Sequence, residues 1–232
     1  MLNTGGVYSG RNSMIRFRFG DFPNTFDVAF IEPSTGTRGL NTPFDFDTDT
    51  TVPKIEVSWG HVFGPVWVDI GGGYNTFDVA DDRDDENSID SYILTLGLMS
   101  IFGPFYINGN VFVGQNIGNY GMWVEGDAFA RWNTTKNHVE DTNSFGFLII
   151  ARFDYSDMLT FEAGYGYAVH EPDFPDEAQE DDLSAYYLHA FITLAEGLFI
   201  VPEIGKIDYG DTSTGADGGD VVYGAIKWQI NF

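Results

Sequence analysis

The chain has 232 residues, no cysteine, and 35 Asp and Glu against 11 Lys and Arg, for a formal net charge of −24. The missing cysteines exclude disulfides and thiolate chemistry. The charge argues against a nucleic-acid partner, which needs Lys and Arg along a phosphate track. No apolar run reaches the roughly eighteen residues of a membrane helix. The mean hydropathy of −0.13 does not separate a soluble protein from a membrane β-barrel, whose polar and apolar faces average out.

Residues 1–14 (MLNTGGVYSGRNSM) carry neither the basic stretch nor the apolar core of a secretory signal. Beyond them, period-two alternation predicts strand after strand. Ile15-Phe17-Phe19, Phe26-Val28-Phe30 and Ile55-Val57-Trp59 are weaker examples. Val66, Val68, Ile70 and Tyr74 form an apolar face, as do Tyr92, Leu94, Leu96 and Leu98. Phe105, Ile107, Gly109, Val111 and Val113 oppose Tyr106, Asn108 and Asn110. Phe145, Phe147, Ile149, Ala151 and Phe153 oppose Gly146, Arg152 and Asp154, although Leu148 and Ile150 blunt that polar face. Leu159, Phe161, Ala163, Tyr165 and Tyr167 oppose Thr160, Glu162, Gly164 and Gly166. Tyr186, Leu188, Ala190, Ile192 and Leu194 follow. Leu198-Ile200-Pro202-Ile204 is the least regular, since Pro202 cannot donate to a ladder. The final strand sets Val222, Gly224, Ile226, Trp228, Ile230 and Phe232 against Tyr223, Ala225, Lys227, Gln229 and Asn231. The expectation is eleven or twelve strands of ~9–11 residues, the length a tilted strand needs to cross a bilayer.

The connections alternate between two kinds. Short ones are Asp21–Asn24, Phe63-Gly64-Pro65, Phe102-Gly103-Pro104, Tyr155–Asp157 and Glu196-Gly197. Long ones are 33–52, 75–90, 115–143, 170–184 and 209–219. Tight turns on one rim and long loops on the other mark an outer-membrane barrel with its short side periplasmic. Met122–Trp132 has strand character, but a crossing there would invert every later connection. It is assigned to a long outer loop folded against the barrel wall.

With this pattern the chain resembles the bacterial outer-membrane porins, most of all in Ile226, Trp228, Ile230 and the terminal Phe232. The resemblance implies an all-β, antiparallel, up-and-down transmembrane β-barrel in the outer membrane of a Gram-negative bacterium. It implies that these four residues are the signal read by the barrel-assembly machinery. Its further implications are contact with outer-membrane lipid and lipopolysaccharide, a homotrimer among the assemblies open to it, and no enzymatic role. A count of eleven, which is odd, and the absent signal point to the C-terminal part of a larger barrel of 16–18 strands, whereas a count of twelve would make a complete twelve-stranded barrel; residues 1–232 are one domain or that portion of one.

If the apolar faces meet lipid, the charges on the opposite faces line a lumen. These are Arg16, Arg18, Lys54, Arg152 and Lys227 with Asp27, Glu56, Asp69, Glu162 and Glu203. Opposed charges inside a pore filter solutes by sign. The bland alternative is solvated residues pairing across strands. The predicted function is a water-filled channel for small hydrophilic solutes or ions, with a preference for cations from the acidic loops. Loops 75–90 and 170–184 together hold fourteen of the 35 acids. Asp81, Asp82, Asp84, Asp85, Glu180, Asp181 and Asp182 are weak candidates for a divalent cation such as Ca²⁺, against the plain reading of a solvated charge run. No cofactor is expected otherwise. Among His61, His138, His170 and His189, only His170 beside Glu171 hints at a barrel-rim hydrolase, and one adjacency is poor support for catalysis. Gly71-Gly72-Gly73 lacks the following helix of a phosphate loop. The competing fold is a soluble all-β carbohydrate-binding or scaffold protein, in which Trp59, Phe153, Trp228 and Phe232 would sit in a core.

Overall fold

A computed structural model of the chain describes residues 4–8, 10–38, 40, 47–80, 86–133, 135–173 and 180–231. Its regular elements are all strands: β1 (Met14–Phe19), β2 (Asn24–Ile31), β3 (Asp47–Asp49), β4 (Lys54–Phe63), β5 (Val66–Ala80), β6 (Glu86–Phe102), β7 (Phe105–Gln115), β8 (Arg131–Asn133), β9 (His138–Glu140), β10 (Thr142–Ser156), β11 (Leu159–Pro172), β12 (Asp181–Ala195), β13 (Leu198–Asp208) and β14 (Asp220–Ile230). Eleven of them form one antiparallel meander in chain order, β1-β2-β4-β5-β6-β7-β10-β11-β12-β13-β14. Short β3 adds to β5, and β8 pairs with β9 as a separate hairpin. The end strands β1 and β14 are not paired with each other, so the sheet is open.

The repeated Phe-Gly-Pro segments close two-residue hairpins, with Phe63 opposite Val66 and Phe102 opposite Phe105. Gly64 and Gly103 take φ of 59° and 58°. A left-handed first turn residue followed by proline's fixed negative φ suits the right-handed twist of the flanking strands. A Cβ at either glycine would meet nothing within 4 Å. Dihedral angle, rather than space, demands glycine there.

Side chains alternate across the sheet, with register shifts at Asp154/Ser156 and Thr193/Ala195 near the short-turn rim. The convex face is apolar and open: Leu94 is 57% exposed, Leu188 52%, Ile226 75% and Trp228 71%. Monomeric soluble proteins rarely expose a contiguous apolar patch above a few hundred Å², and this face runs across all the long strands. Such a surface belongs against hydrocarbon. The soluble alternative fails here, because the outward rings are not buried against a second sheet.

The turns and loops sort to opposite rims as the alternation predicts, with two corrections. The expected loops at 75–90 and 170–184 are largely strand: β5 and β6 pair from Val66–Ser100 out to Ala80–Glu86, and β11 pairs with β12 out to His170–Asp181. Beyond the apolar belt the outward positions turn polar (Asp78, Ser88, Asp90), which mimics a loop in sequence. There Ser88 Oγ donates to Asp78 at 2.5 Å and Tyr74 Oη to Asp90 at 2.5 Å. Pro202 stays within β13. The β12–β13 ladder skips the positions between His189–Glu203 and Ile192–Ile200, where its N–H is missing.

The core lies on the concave side, under the β7–β10 connection (116–141). Ile117, Tyr120, Met122 and Ala128 pack on Ile93 and Phe112, and Ala130 and Trp132 pack with Leu40 on Phe77, Val79 and Ile89. The segment 122–132, whose last two residues enter the separate β8–β9 hairpin, is therefore folded against the wall and is not a further crossing.

Candidate functional site

All ten charged candidates share the concave face. Residues directly opposite in neighbouring strands lie on one side of a sheet, and the registers align Arg18 with Asp27, Arg152 with Glu162, Glu162 with His189 and His189 with Glu203. Five are basic and five acidic, so the set sums to zero and the whole excess of −24 lies elsewhere in the chain. Nor do the two signs occupy opposed walls. Arg18 grips Asp27 through two bonds of 2.8 and 2.7 Å. Arg152 Nε donates to Asp154 at 2.8 Å.

Lys54 departs from its predicted role. It is 1% exposed, sealed beneath the inward loop. Its Nζ lies 4.4 Å from the Tyr120 ring centroid, donates to the Tyr120 carbonyl at 3.3 Å, and stands 3.6 Å from Glu56. Tyr120 Oη donates to Glu56 at 2.6 Å. A Cβ on Gly73 would come within 1.9 Å of that hydroxyl, so the glycine makes the room. Burial first, then the bond and charge of Glu56, raise the Tyr120 phenol above its ordinary pKa. Lys54 is an anchor for the loop, not an open lumen charge.

The same loop is tied at the opposite wall. The Glu125 carbonyl meets His170 Nε2 at 3.0 Å, while Ser144 Oγ meets His170 Nδ1 at 2.8 Å. The Asp127 amide donates to Asp181 at 2.5 Å, and Arg131 reaches both Asp127 (2.5 Å) and Ser213 (2.8 Å). The loop thus bridges the concave space from β4 to β12. Both nitrogens of His170 are engaged without a carboxylate, and Glu171, its chain neighbour, points to the other face. Ser144 and His170 are both buried, so the bonded pair ties the loop to the wall.

Residues 4–8 also enter this space. Asn110 Nδ2 donates to the Gly5 carbonyl at 3.0 Å, and the Trp123 amide to the Tyr8 carbonyl at 2.9 Å. A Cβ on Gly166 would sit 1.9 Å from the Thr4 carbonyl oxygen. Between loop, N-terminal segment and the β2, β4 and β5 wall lies a cavity of about 380 Å³ lined by Arg16, Asp27, Glu56, Asp69 and Tyr120.

On the far wall His189 stands between Glu203 (3.3 Å) and Glu162 (3.6 Å). Tyr187 and Tyr223 donate to these two glutamates at 2.9 Å each. Their rings lie where Cβ atoms on Gly164 and Gly205 would be, within 2.3 and 2.5 Å. Lys227 is exposed on β14. The sequence reading missed Tyr120, Tyr187 and Tyr223. Gly164 and Gly205 were the available signal, since a glycine in a strand often marks a bulky neighbour.

Of the cation candidates, Asp81, Asp82, Asp84 and Asp85 lie outside the described residues, as does Phe232. Asp181 and Asp182 accept from the backbone amides of Asp127 (2.5 Å) and Asp211 (3.0 Å), joining loops rather than converging with Glu180. Among the described residues no group of three or more His, Asp or Glu could hold a metal. Ile226, Trp228 and Ile230 all face outward on β14.

No protein-family model matches the chain, and no curated protein matches its sequence. Solved structures do. The outer membrane channel DcaP of Acinetobacter baumannii superposes with a TM-score of 0.82 at 12% identity, over 100% of this chain and 65% of that one. OmpF of Salmonella typhi, in complex with daunomycin, gives 0.61 at 10% identity over 97% and 66%. An anion-selective porin from Comamonas acidovorans gives 0.56 at 14% identity over 94% and 56%. The chain therefore spans about two thirds of the length of such proteins or less. Its fold is that of a porin-like antiparallel β-barrel.

Proposed function

We propose that the chain builds much of the wall of an outer-membrane channel, through which small hydrophilic solutes diffuse passively. The observation that carries this reading is the pairing of a continuous apolar convex face with a charged concave face narrowed by an inward loop. The structural neighbours, outer-membrane channels and porins by description, support it. The concave residues act as a hydrated lining and not as a catalytic set. Outer-membrane lipid and lipopolysaccharide are the surroundings this face fits. A homotrimer is supported by a trimer form among the neighbours. A divalent cation such as Ca²⁺ at the acidic loops is a subsidiary proposal, with Asp81–Asp85 its remaining seat.

We further propose a preference for cations, set at the mouth. With Lys54 sealed beneath the loop, four basic and five acidic lining residues nearly cancel, whereas Asp173, Glu180, Asp181, Asp182, Asp211 and Asp217 crowd the long-loop rim. A negative mouth concentrates cations and repels anions. Such a field is screened over about 10 Å at 0.1 M salt and ~3 Å at 1 M. Reversal potentials across a planar bilayer under a KCl gradient test both claims. The expected result is a cation preference at low salt that fades toward 1 M. Anion selectivity at low salt would defeat the charge reading, and absence of any conductance would defeat the channel.

A further inference from the structure

Leu148 and Ile150 are anomalous in a water-filled lumen: alternation places them on the concave face of β10, where polar residues are expected. They form the floor of a cavity of about 750 Å³, whose other lining includes Tyr8, Trp123, Phe129 and Tyr187. That volume lies within the range of small-molecule sites, ≈ 300–1,000 Å³. Two of the rings are fixed and covered. Phe129 lies over Gly118 and under the Arg38 guanidinium, 5.1 Å from its centroid, and Tyr187 lies over Gly164. Trp123 is different. It stands inside the concave space with 70% of its surface exposed, held edge-on to Tyr8 with centroids 5.3 Å apart and planes at 89°.

We propose that the Tyr8–Trp123 corner, over the Leu148–Ile150 floor, is a binding platform for uncharged planar aromatic solutes. The inference deepens the channel reading and rests on it. An exposed indole over an aliphatic floor offers a stacking face and an edge-on wall, the two arrangements in which aromatic pairs prefer to meet. The charged residues of the lining, Arg38 and Glu125, cancel, so the site selects by ring rather than by charge. A sugar could also lie on an indole, but its hydroxyls would face Leu148, Ile150, Met122 and Val124 without partners, which is costly.

The test uses indole as probe and cyclohexanol as its non-aromatic counterpart. In single-channel recordings indole should interrupt the current, and Trp123→Ala should shorten the mean block about fivefold, in line with the worth of one aromatic pair. Tyr186→Ala, on the outward face of β12, should leave the block unchanged. Ile150→Thr, which keeps Trp123 and makes the floor polar, should weaken it as well. In detergent, saturation transfer from protein to indole should be lost in Trp123→Ala. That readout needs no conductance, so a silent channel would defeat the channel reading while the platform is still decided. Equal block by cyclohexanol, or an indole block and transfer unaltered in Trp123→Ala, would overturn the proposal.

Discussion

Tyr120→Phe isolates one bond that holds the inward loop. The ring stays over Lys54 and against Gly73, and only the hydroxyl that donates to Glu56 at 2.6 Å is removed. A hydrogen bond to a charged group contributes about 1.5–3 kcal/mol. The Glu56 side chain keeps 36% of its surface in water. Solvent screening therefore brings the loss to just under that range, about 1.4 kcal/mol, a tenfold change in the ratio of docked to undocked loop. Ile117, Met122 and Ala128 remain packed on Ile93 and Phe112, so the loop stays mostly docked. The assay is native-state amide hydrogen exchange, which reports local opening free energies. The amides of Gly118, Met122 and Trp123, bonded to Ala128, Ile117 and Tyr8, should exchange about tenfold faster. Those of the β5–β6 ladder should not change. Gly73→Ala, whose Cβ would meet the Tyr120 hydroxyl at 1.9 Å, should produce a larger effect at the same amides. Unchanged exchange in the loop, or an equal acceleration in the β5–β6 ladder, would refute the latch.

The raised Tyr120 pKa makes that latch sensitive to alkali. An undocked phenol ionises near its ordinary value of about 10, while the docked one stays protonated, so docking is constant below that pH and weakens as pH rises beyond it. Loop exchange, corrected for its intrinsic pH dependence, should show this loss in the parent and not in Tyr120→Phe. Gly166→Ala should eject residues 4–8, because its Cβ would lie 1.9 Å from the Thr4 carbonyl. Loss of the Asn110–Gly5 contact by NMR, with the β10–β11 ladder intact, would register it. Deleting Phe232 should lower the amount of protein in the outer membrane far more than deleting one residue of loop 209–219, as immunoblots of membrane fractions would read.

Much of the wall was legible because one face of each strand meets a single environment. Ile226 and Trp228 follow a strict period of two, and Gly64 and Gly103 mark turns whose positive φ favours glycine. Legibility ended where that environment ends. At the long-loop rim the outward face is wetted, so Asp78 and Asp90 read as loop although they sit in paired strands. It ended also where distant segments meet. Lys54 resembles any lumen charge until Tyr120, 66 residues away, is laid over it. Leu148 and Ile150 break the alternation for a reason visible only once Trp123 and Tyr8 are placed above them.

The two edges of the sheet carry an arithmetic of their own. Along eleven successive antiparallel strands, the first and the last point the same way. Seaming β1 directly to β14 would make a parallel ladder, with slanted and slightly weaker bonds. Two copies placed side by side with the same rim outward meet β14 to β1, and face the same mismatch. An all-antiparallel ring that includes this wall therefore sets an odd number of strands between β14 and β1, which brings the total to the even number typical of bacterial barrels. The direction of two edge strands is enough to fix that parity.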